Sequence, residues 1–442
     1  MYIFARTESA PPRPPTPAPR LSQAMAAHDP LPYCVELDSK VDLVSSVEKE
    51  QEWGVIRCRS RTAYGCGEHG QMVVEGLTLL VQLAGYRNLT STLCIRVDDQ
   101  ALRSIQAELG MSSDERLLRI GGGEMYGQGV IHSVRERVIV LTLIFHLLHC
   151  GKRFYYLVYD TVGESLSMVP HLPPCSASPL TATPVPMRRG EHVDLVLVGN
   201  VLQHEPAGGG SLVGDDVLWV WSSARSGGSS ISPWQMTKRL VPPQVKQTFV
   251  ADVAFCFQGQ AFWADLSQGV MHCDPSTAGR RSAVEFDFIP LPPECQLVVE
   301  VTLDMEPMAM YRTMGRVGHS IKFVSIDRSG DPGGRMITLW TLHLDSQQWT
   351  RDEEFSVSSL WELEDFKSEG LPKTVPKCPV VMADGVVCFL LPNKRKRRGS
   401  LDDYICGIHM HNKTILWSGR LNMYRTYGPI LLTRGFMKID GL

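Results

Sequence analysis

One pattern recurs along the chain and limits what it can fold into: an aromatic strand, a turn rich in Asp, Asn, Gly or Ser, then a second strand. "QAFWADLSQGVMHCD", Gln260 to Asp274, is one copy, with Phe262 and Trp263 before the turn and Val270 to Cys273 after it. "FYYLVYDTVGESLSMV" (Phe154–Val169) turns at Asp160, and "DDVLWVWSSARSGGSSISPWQMTKRL" sets Trp219, Trp221 and Trp234 around a Gly/Ser turn. "ITLWTLHLDSQQWTRDEEF" (Ile337–Phe355) carries Trp340, Asp345 and Trp349, and "YICGIHMHNKTILWSGRL" (Tyr404–Leu421) turns at Asn412 with Trp417 beyond. Several copies follow another apolar strand, as in "VDLVLVGN", "FVADVAFCFQGQ", "HSIKFVSID" and "CPVVMADGVVCFLLP". The unit is three or four antiparallel strands, repeated at uneven intervals of roughly 45 to 75 residues, near the spacing of propeller blades with loop insertions.

A lone hairpin cannot bury its apolar face. Small sheets stacked radially bury every face and leave only short edges. Asp, Asn and Gly take the backbone angles that tight turns demand, and aromatics fill the space between sheets. The expected fold is mainly β, a β-propeller-like repeat of antiparallel hairpins; a pair of two-sheet sandwiches is the competing architecture. The domain reading has a Pro-rich disordered segment at 1–30, a divergent mixed β/α region at 31–150 that can hold the first blade or blades, a propeller-like domain at 151–421, and a C-terminal tail at 422–442.

The 442 residues are 43% hydrophobic and 21% charged, enough to build a sizeable core. A formal net charge of -3 gives no global field toward nucleic acid or anionic membrane. The 12 cysteines are scattered singly with no CxxC, against a zinc ribbon, a thioredoxin-type site or a dense disulfide framework. They read as small buried hydrophobes in a reducing compartment. The N-terminus lacks the basic-then-apolar order of a secretory signal; "APPRPPTPAPR" reads as extended chain, with an SH3-type ligand or an acid-poor plastid transit peptide as alternatives. The longest apolar run, "VIVLTLIFHLLHC" (Val138–Cys150), is too short to span a bilayer and reads as a buried strand or short core helix. Without a signal, the sequons at Asn88 and Asn412 are expected to go unused.

"DQALRSIQAEL", Asp99 to Leu109, predicts a helix capped at Asp99, with Leu102, Ile105 and Leu109 on one face and Gly110 ending it. "GGGEMYGQG", Gly121 to Gly129, fails the dinucleotide spacing because Tyr126 stands where glycine is needed; it reads as a flexible loop. His409 and His411 lie two apart in an expected strand and could share a face near Cys406, with no third ligand placed by spacing. His146, His149 and Cys150 read as core packing. Asp352, Glu353, Glu354, Glu362, Glu364 and Asp365 read as a solvated loop with a short helix, since a glycosidase pair must face across a cleft. No GxSxG or HExxH motif is present.

The sharpest signal is the basic run Lys394, Arg395, Lys396, Arg397 and Arg398, between two expected strands. It reads as a nuclear-localisation patch, against a plain solvated hairpin loop. Aromatics are not interleaved with it, so nucleic-acid binding is disfavoured.

The hairpins "YYLVYDTVGESLSMVPHLP", "AFWADLSQGVMHCD" with "FIPLPPE", and "WELEDFKSEGLPKTVPKCPVVMADGVVCFLLP" resemble the plant, mainly grass, domain of unknown function family 1618 (DUF1618), over about residues 153–421. The family is similar in pattern to F-box-associated and kelch-like propellers, and the resemblance implies the fold and no chemistry. No F-box helix set stands near the N-terminus, and the stretch from Cys58 to Gly129 departs from the family pattern. The expected function is a non-enzymatic protein-interaction scaffold for a protein partner that the sequence does not identify, with no cofactor, no metal and no membrane, in the nucleus or cytoplasm. The alternatives are a nuclear nucleic-acid-associated factor and a hydrolase acting in a propeller channel.

Overall fold

Two neighbouring residues show why the strands are apolar at nearly every position. In the strand Gln260–Asp265, Phe262 enters one core with Phe255, Phe323 and Trp340, while Trp263 enters another with Met187, Val196 and Phe286. Successive side chains of a strand point to opposite faces, so a strand held between two sheets is apolar on both. Trp219 and Trp221 against Leu218 and Val220, and Trp340 against Leu339, repeat this division.

The computed structural model describes residues 34–47, 50–84, 89–109, 125–147, 151–172, 184–204, 212–224, 233–245, 249–296, 306–328, 330–382, 384–393, 403–421, 430–433, 436–437 and 439–440. Their strands form one 12-stranded sheet and four small ones. The first blade orders Val185–Arg189, His192–His204, Leu212–Ser222, Gln235–Leu240 and Ala283–Glu285. The second is Val253–Phe257, Gln260–Asp265, Gly269–Cys273 and Asp287–Pro290. The third is Arg312–Val317, Ser320–Ile326, Met336–His343 and Gln348–Ser356, and the fourth Lys377–Val381, Val386–Leu391, Asp403–His409 and Thr414–Leu421. Apart from the parallel edge strand Ala283–Glu285, each pairs antiparallel. The recurrent hairpins are thus the inner ladders of a mainly β, propeller-like fold.

The 12-stranded sheet folds around its own core, where the helices Gly70–Glu75 and Asp99–Glu108 pack against Leu79, Ile95, Leu141 and Leu157. Its strands Val138–Leu147 and Gly151–Asp160 pair across residue 150, so residues on both sides of that position share one sheet. Its outer face packs on the first blade through Tyr64, Val140, Tyr156, Leu197 and Trp221. The fourth blade returns to it through Leu390 and Leu421 against Leu89, and through Cys388 against Leu431. The last strands complete the ring: Ile430–Thr433 pairs antiparallel with Cys34–Leu37, and Ile439–Asp440 with Gly54–Ile56.

Indole N–H groups tie neighbouring sheets. Trp234 Nε1 donates to Pro170 O at 2.8 Å, and Trp349 Nε1 to Pro290 O at 2.8 Å. Each proline ends a strand of the preceding sheet, Ser165–Pro170 or the edge strand Asp287–Pro290, and has no N–H of its own to extend the ladder.

Three local expectations change. The helix starts one residue earlier, with Asp98 rather than Asp99 as its cap, accepting from Ala101 N at 2.7 Å. Met125–Gly129 is the start of the strand Met125–Arg135, not a loop: a Cβ at Gly129 would lie 2.9 Å from Val41 Cβ, so glycine there lets two strands approach. The acidic run divides between the strand Gln348–Ser356 and two short helices, Val357–Trp361 and Glu364–Ser368. Of the cysteines whose side chains are described, Cys66, Cys94, Cys273, Cys295, Cys378, Cys388 and Cys406 are buried.

Candidate functional site

The innermost strands surround a channel. Residues of Met125–Arg135, Val253–Phe257, Arg312–Val317, Lys377–Val381 and Ile430–Thr433 line a cavity of about 540 Å³. Polar side chains stand in it at two levels, because the inner strands of the second and third blades each bring one near the start, Asp252 and Arg312, and another near the end, Cys256 and Arg316.

At the entry of the strands, Asp252 accepts from Leu266 N at 2.9 Å. Burial holds its carboxyl up at about 6, helped by Asp265 and opposed by Arg312. Arg312 is buried and donates to Leu266 O at 2.8 Å and Cys295 O at 2.7 Å, which binds the third blade to the turn of the second. Arg188, near the far end of the first blade's inner strand, ties that blade to the preceding sheet by forking onto the Asp160 carboxylate.

At the other end stands a two-residue turn, Glu136-Arg137, with φ of 52° and 61°. Such turns match the twist of a hairpin, and residues other than Gly, Asn or Asp adopt them at a cost. Contacts from three sheets hold this one. Glu136 Oε1 accepts from Arg316 Nη1 at 2.7 Å, Glu136 O accepts from Arg188 Nε at 3.3 Å, and the Glu136 side chain bonds the Cys256 thiol. Arg137 O accepts from Thr161 N at 2.9 Å. Burial, then Glu136, pushes the Cys256 thiol up to about 12, so it is protonated at neutral pH. Arg135 reaches across the channel: a Cβ on Gly315 would lie 3.9 Å from Arg135 Nη1. Burial lowers its guanidinium below the usual arginine range, though it stays charged.

His132, between the two levels, bonds Thr142 Oγ1 through Nε2 at 2.7 Å and meets Tyr156 edge-on. Burial, then nearby His171, lowers it to about 4, so it is neutral at pH 7. His171 stacks on Tyr156 with centroids 4.7 Å apart and is lowered too, by burial.

The channel residues were not singled out by motif. Their signal was charge inside apolar strands: "SVRERVIV" and "YRTMGRVGH" place Arg135, Arg312 and Arg316 among strand residues, and these three line the cavity. The basic run Lys394 to Arg398 lies outside the described residues; its flanks are joined by Asn393 N donating to Asp403 Oδ1 at 3.0 Å. His409 and His411 separate: the strand ends at His409, whose Nδ1 accepts from Asn412 N, while His411 Nδ1 bonds Glu353 Oε1 at 2.6 Å. His146 sits in a strand, and His149 and Cys150 lie outside the described residues. Asp352 pairs with Lys322, Glu354 with Arg351, and Glu362 with Lys367 and Lys373. Among the described residues no group of three or more His, Cys, Asp or Glu could hold a metal ion, and no helix is long and apolar enough to cross a membrane.

No curated protein matches the chain. It is similar to solved structures including a K499G mutant of NanB sialidase from Streptococcus pneumoniae, with TM-score 0.34 and 8% identity over 67% of this chain and 61% of that one. It is also similar to Trypanosoma rangeli sialidase, with TM-score 0.31 and 10% identity over 70% of this chain and 53% of that one. A third is the Nup133 β-propeller domain of Vanderwaltozyma polyspora, with TM-score 0.24 and 8% identity over 71% and 76%. The chain thus spans about six tenths of the first structure and about half of the second. Residues 263–388, from Trp263 in the second blade to Cys388 in the fourth, match the family described as "Protein of unknown function (DUF1618)".

Proposed function

We propose that this chain is a non-enzymatic scaffold that holds a protein partner on the outside of its ring. The observation that carries the reading is the strand Gln235–Leu240 of the first blade, which lies next to the edge strand Ala283–Glu285. One of its faces carries Met236, Lys238 and Leu240, with Met236 52% and Leu240 47% exposed. Large apolar side chains repeated on one exposed strand face cost solvation and suit a docking surface.

The channel supports the non-enzymatic side of the reading. Asp252 and Cys256 are four positions apart, roughly 13 Å along a strand, and Glu136 bonds Cys256. Glu136 and Asp252, the carboxylates that line the cavity among the described residues, therefore belong to different levels of it, whereas glycoside hydrolysis uses a facing pair about 5 to 9.5 Å apart. The thiol is protonated and His132 is a weak base, so neither suits nucleophilic attack.

The test is affinity capture with the wild-type chain and with Met236→Asp/Leu240→Asp. A protein retained reproducibly by the wild type and lost by the variant, at unchanged melting temperature, supports the scaffold. Identical captured sets from both contradict it.

The nuclear half of the localisation rests on the basic run. The strands on either side of it in the sequence, Val386–Leu391 and Asp403–His409, pair antiparallel. Five adjacent cations are too costly to desolvate for burial.

A further inference from the structure

The turn end of the channel has more cations than carboxylates to meet them. Arg188 is neutralised by Asp160, and Arg316 by Glu136. Arg135 shares this end with them; among the described residues it forms no ion pair of its own, and the charge of Glu136, which already pairs with Arg316, reaches it. A guanidinium held away from water is stabilised by a planar anion that accepts its paired N–H donors. Gly315 leaves the backbone bare beside Arg135 Nη1, so the guanidinium extends from the 12-stranded sheet toward the third blade.

The other wall is apolar. Val380, Met382, Ile430, Leu431 and Phe436 face the same cavity, whose volume of about 540 Å³ is within the range of small-molecule sites. One surplus cation, a second guanidinium beside it and an apolar wall opposite describe a complement to an amphipathic acid.

We propose that the channel binds a small organic carboxylate, its anionic group on Arg135 beside Arg316 and its apolar body against Met382, Leu431 and Phe436. This goes beyond the scaffold reading and does not depend on it: the site lies inside the ring and the docking face outside.

Glu136 competes for the same guanidinium groups. Removing its charge should therefore strengthen binding, while removing Arg135 should abolish it. Opposite signs from two neighbouring substitutions separate a binding site from damage to the fold.

The test uses the full chain, ligand-observed NMR and thermal shift, with phenylacetate and octanoate as probes, phenylacetamide as the neutral control, and inorganic phosphate as the bare anion. At least one of the two acids should bind saturably to the wild type. Arg135→Met should weaken it by about tenfold or more and Glu136→Gln should tighten it several-fold. Phenylacetamide and phosphate should bind far more weakly. The proposal is overturned if neither acid binds, if phosphate binds as well as the acids, or if the two substitutions change affinity in the same direction.

Discussion

Trp263 concentrates the packing argument in one side chain. It is 0% exposed, lies in the core between the first and second blades, and its indole Nε1 has no hydrogen-bond partner. Its contribution is therefore volume and apolar area. Trp263→Ala should cost about 3 to 5 kcal/mol, read as a lower urea midpoint with an unchanged slope; an unchanged midpoint would place the residue outside the core. Asp252 tests the channel instead. Its folded-state pKa of about 6 is above the ordinary 3.8, so the folded chain holds the proton more tightly than the unfolded one. That contribution is full below about pH 4, falls as the pH rises toward 6, and is constant above about 7. Asp252→Asn lacks it. The wild type should therefore lose stability relative to Asp252→Asn between about pH 4 and 6, and a pH-independent difference would show that the carboxyl is solvated.

The hairpin is the element that the chain repeats, and its turns decide what each ladder costs. Glu136-Arg137 is a left-handed pair without glycine, yet Glu136 is fixed there by its bonds to Arg316 and Cys256. Arg137 is exposed and supplies its backbone carbonyl to Thr161. Arg137→Gly should relieve strain without removing that bond and stabilise the chain by about 0.5 to 1 kcal/mol, measured as a higher denaturation midpoint. A loss of stability would mean that the arginine side chain itself is needed. The hairpins were legible in the sequence because alternating burial on two faces leaves unbroken apolar strands ending in Asp or Gly. The helix Asp99–Glu108 was legible from its 3.6-residue period. Two elements were not. Met125–Gly129 looks like a loop because the local glycines hide a strand whose need for glycine comes from Val41, far away in sequence. The channel's Arg135 and the pair Arg312 and Arg316 sit in two strands far apart in sequence, and only the fold brings those strands to one cavity.

At the scale of the whole molecule, five sheets share cores in sequence, and two short C-terminal strands join the last blade to the first sheet. The basic run at 394–398 adds a prediction that concerns the molecule in the cell. Replacing Lys394, Arg395, Lys396, Arg397 and Arg398 by Gln should leave the melting temperature unchanged, since its flanks stay joined through Asn393 and Asp403. A fluorescent fusion of the wild type should concentrate in the nucleus and that of the variant should not; equal distributions would reduce the run to a solvated loop. The ring itself is tested at its closure. Leu37 and Ile430 are direct antiparallel partners, so side chains at these positions lie on one face at a distance a disulfide can bridge. In the double variant Leu37→Cys/Ile430→Cys, mild oxidation should link positions 37 and 430, seen by peptide mapping, and raise stability by roughly 2 to 4 kcal/mol by closing the loop. A ring that does not close there would give no 37–430 crosslink, or one with no gain in stability.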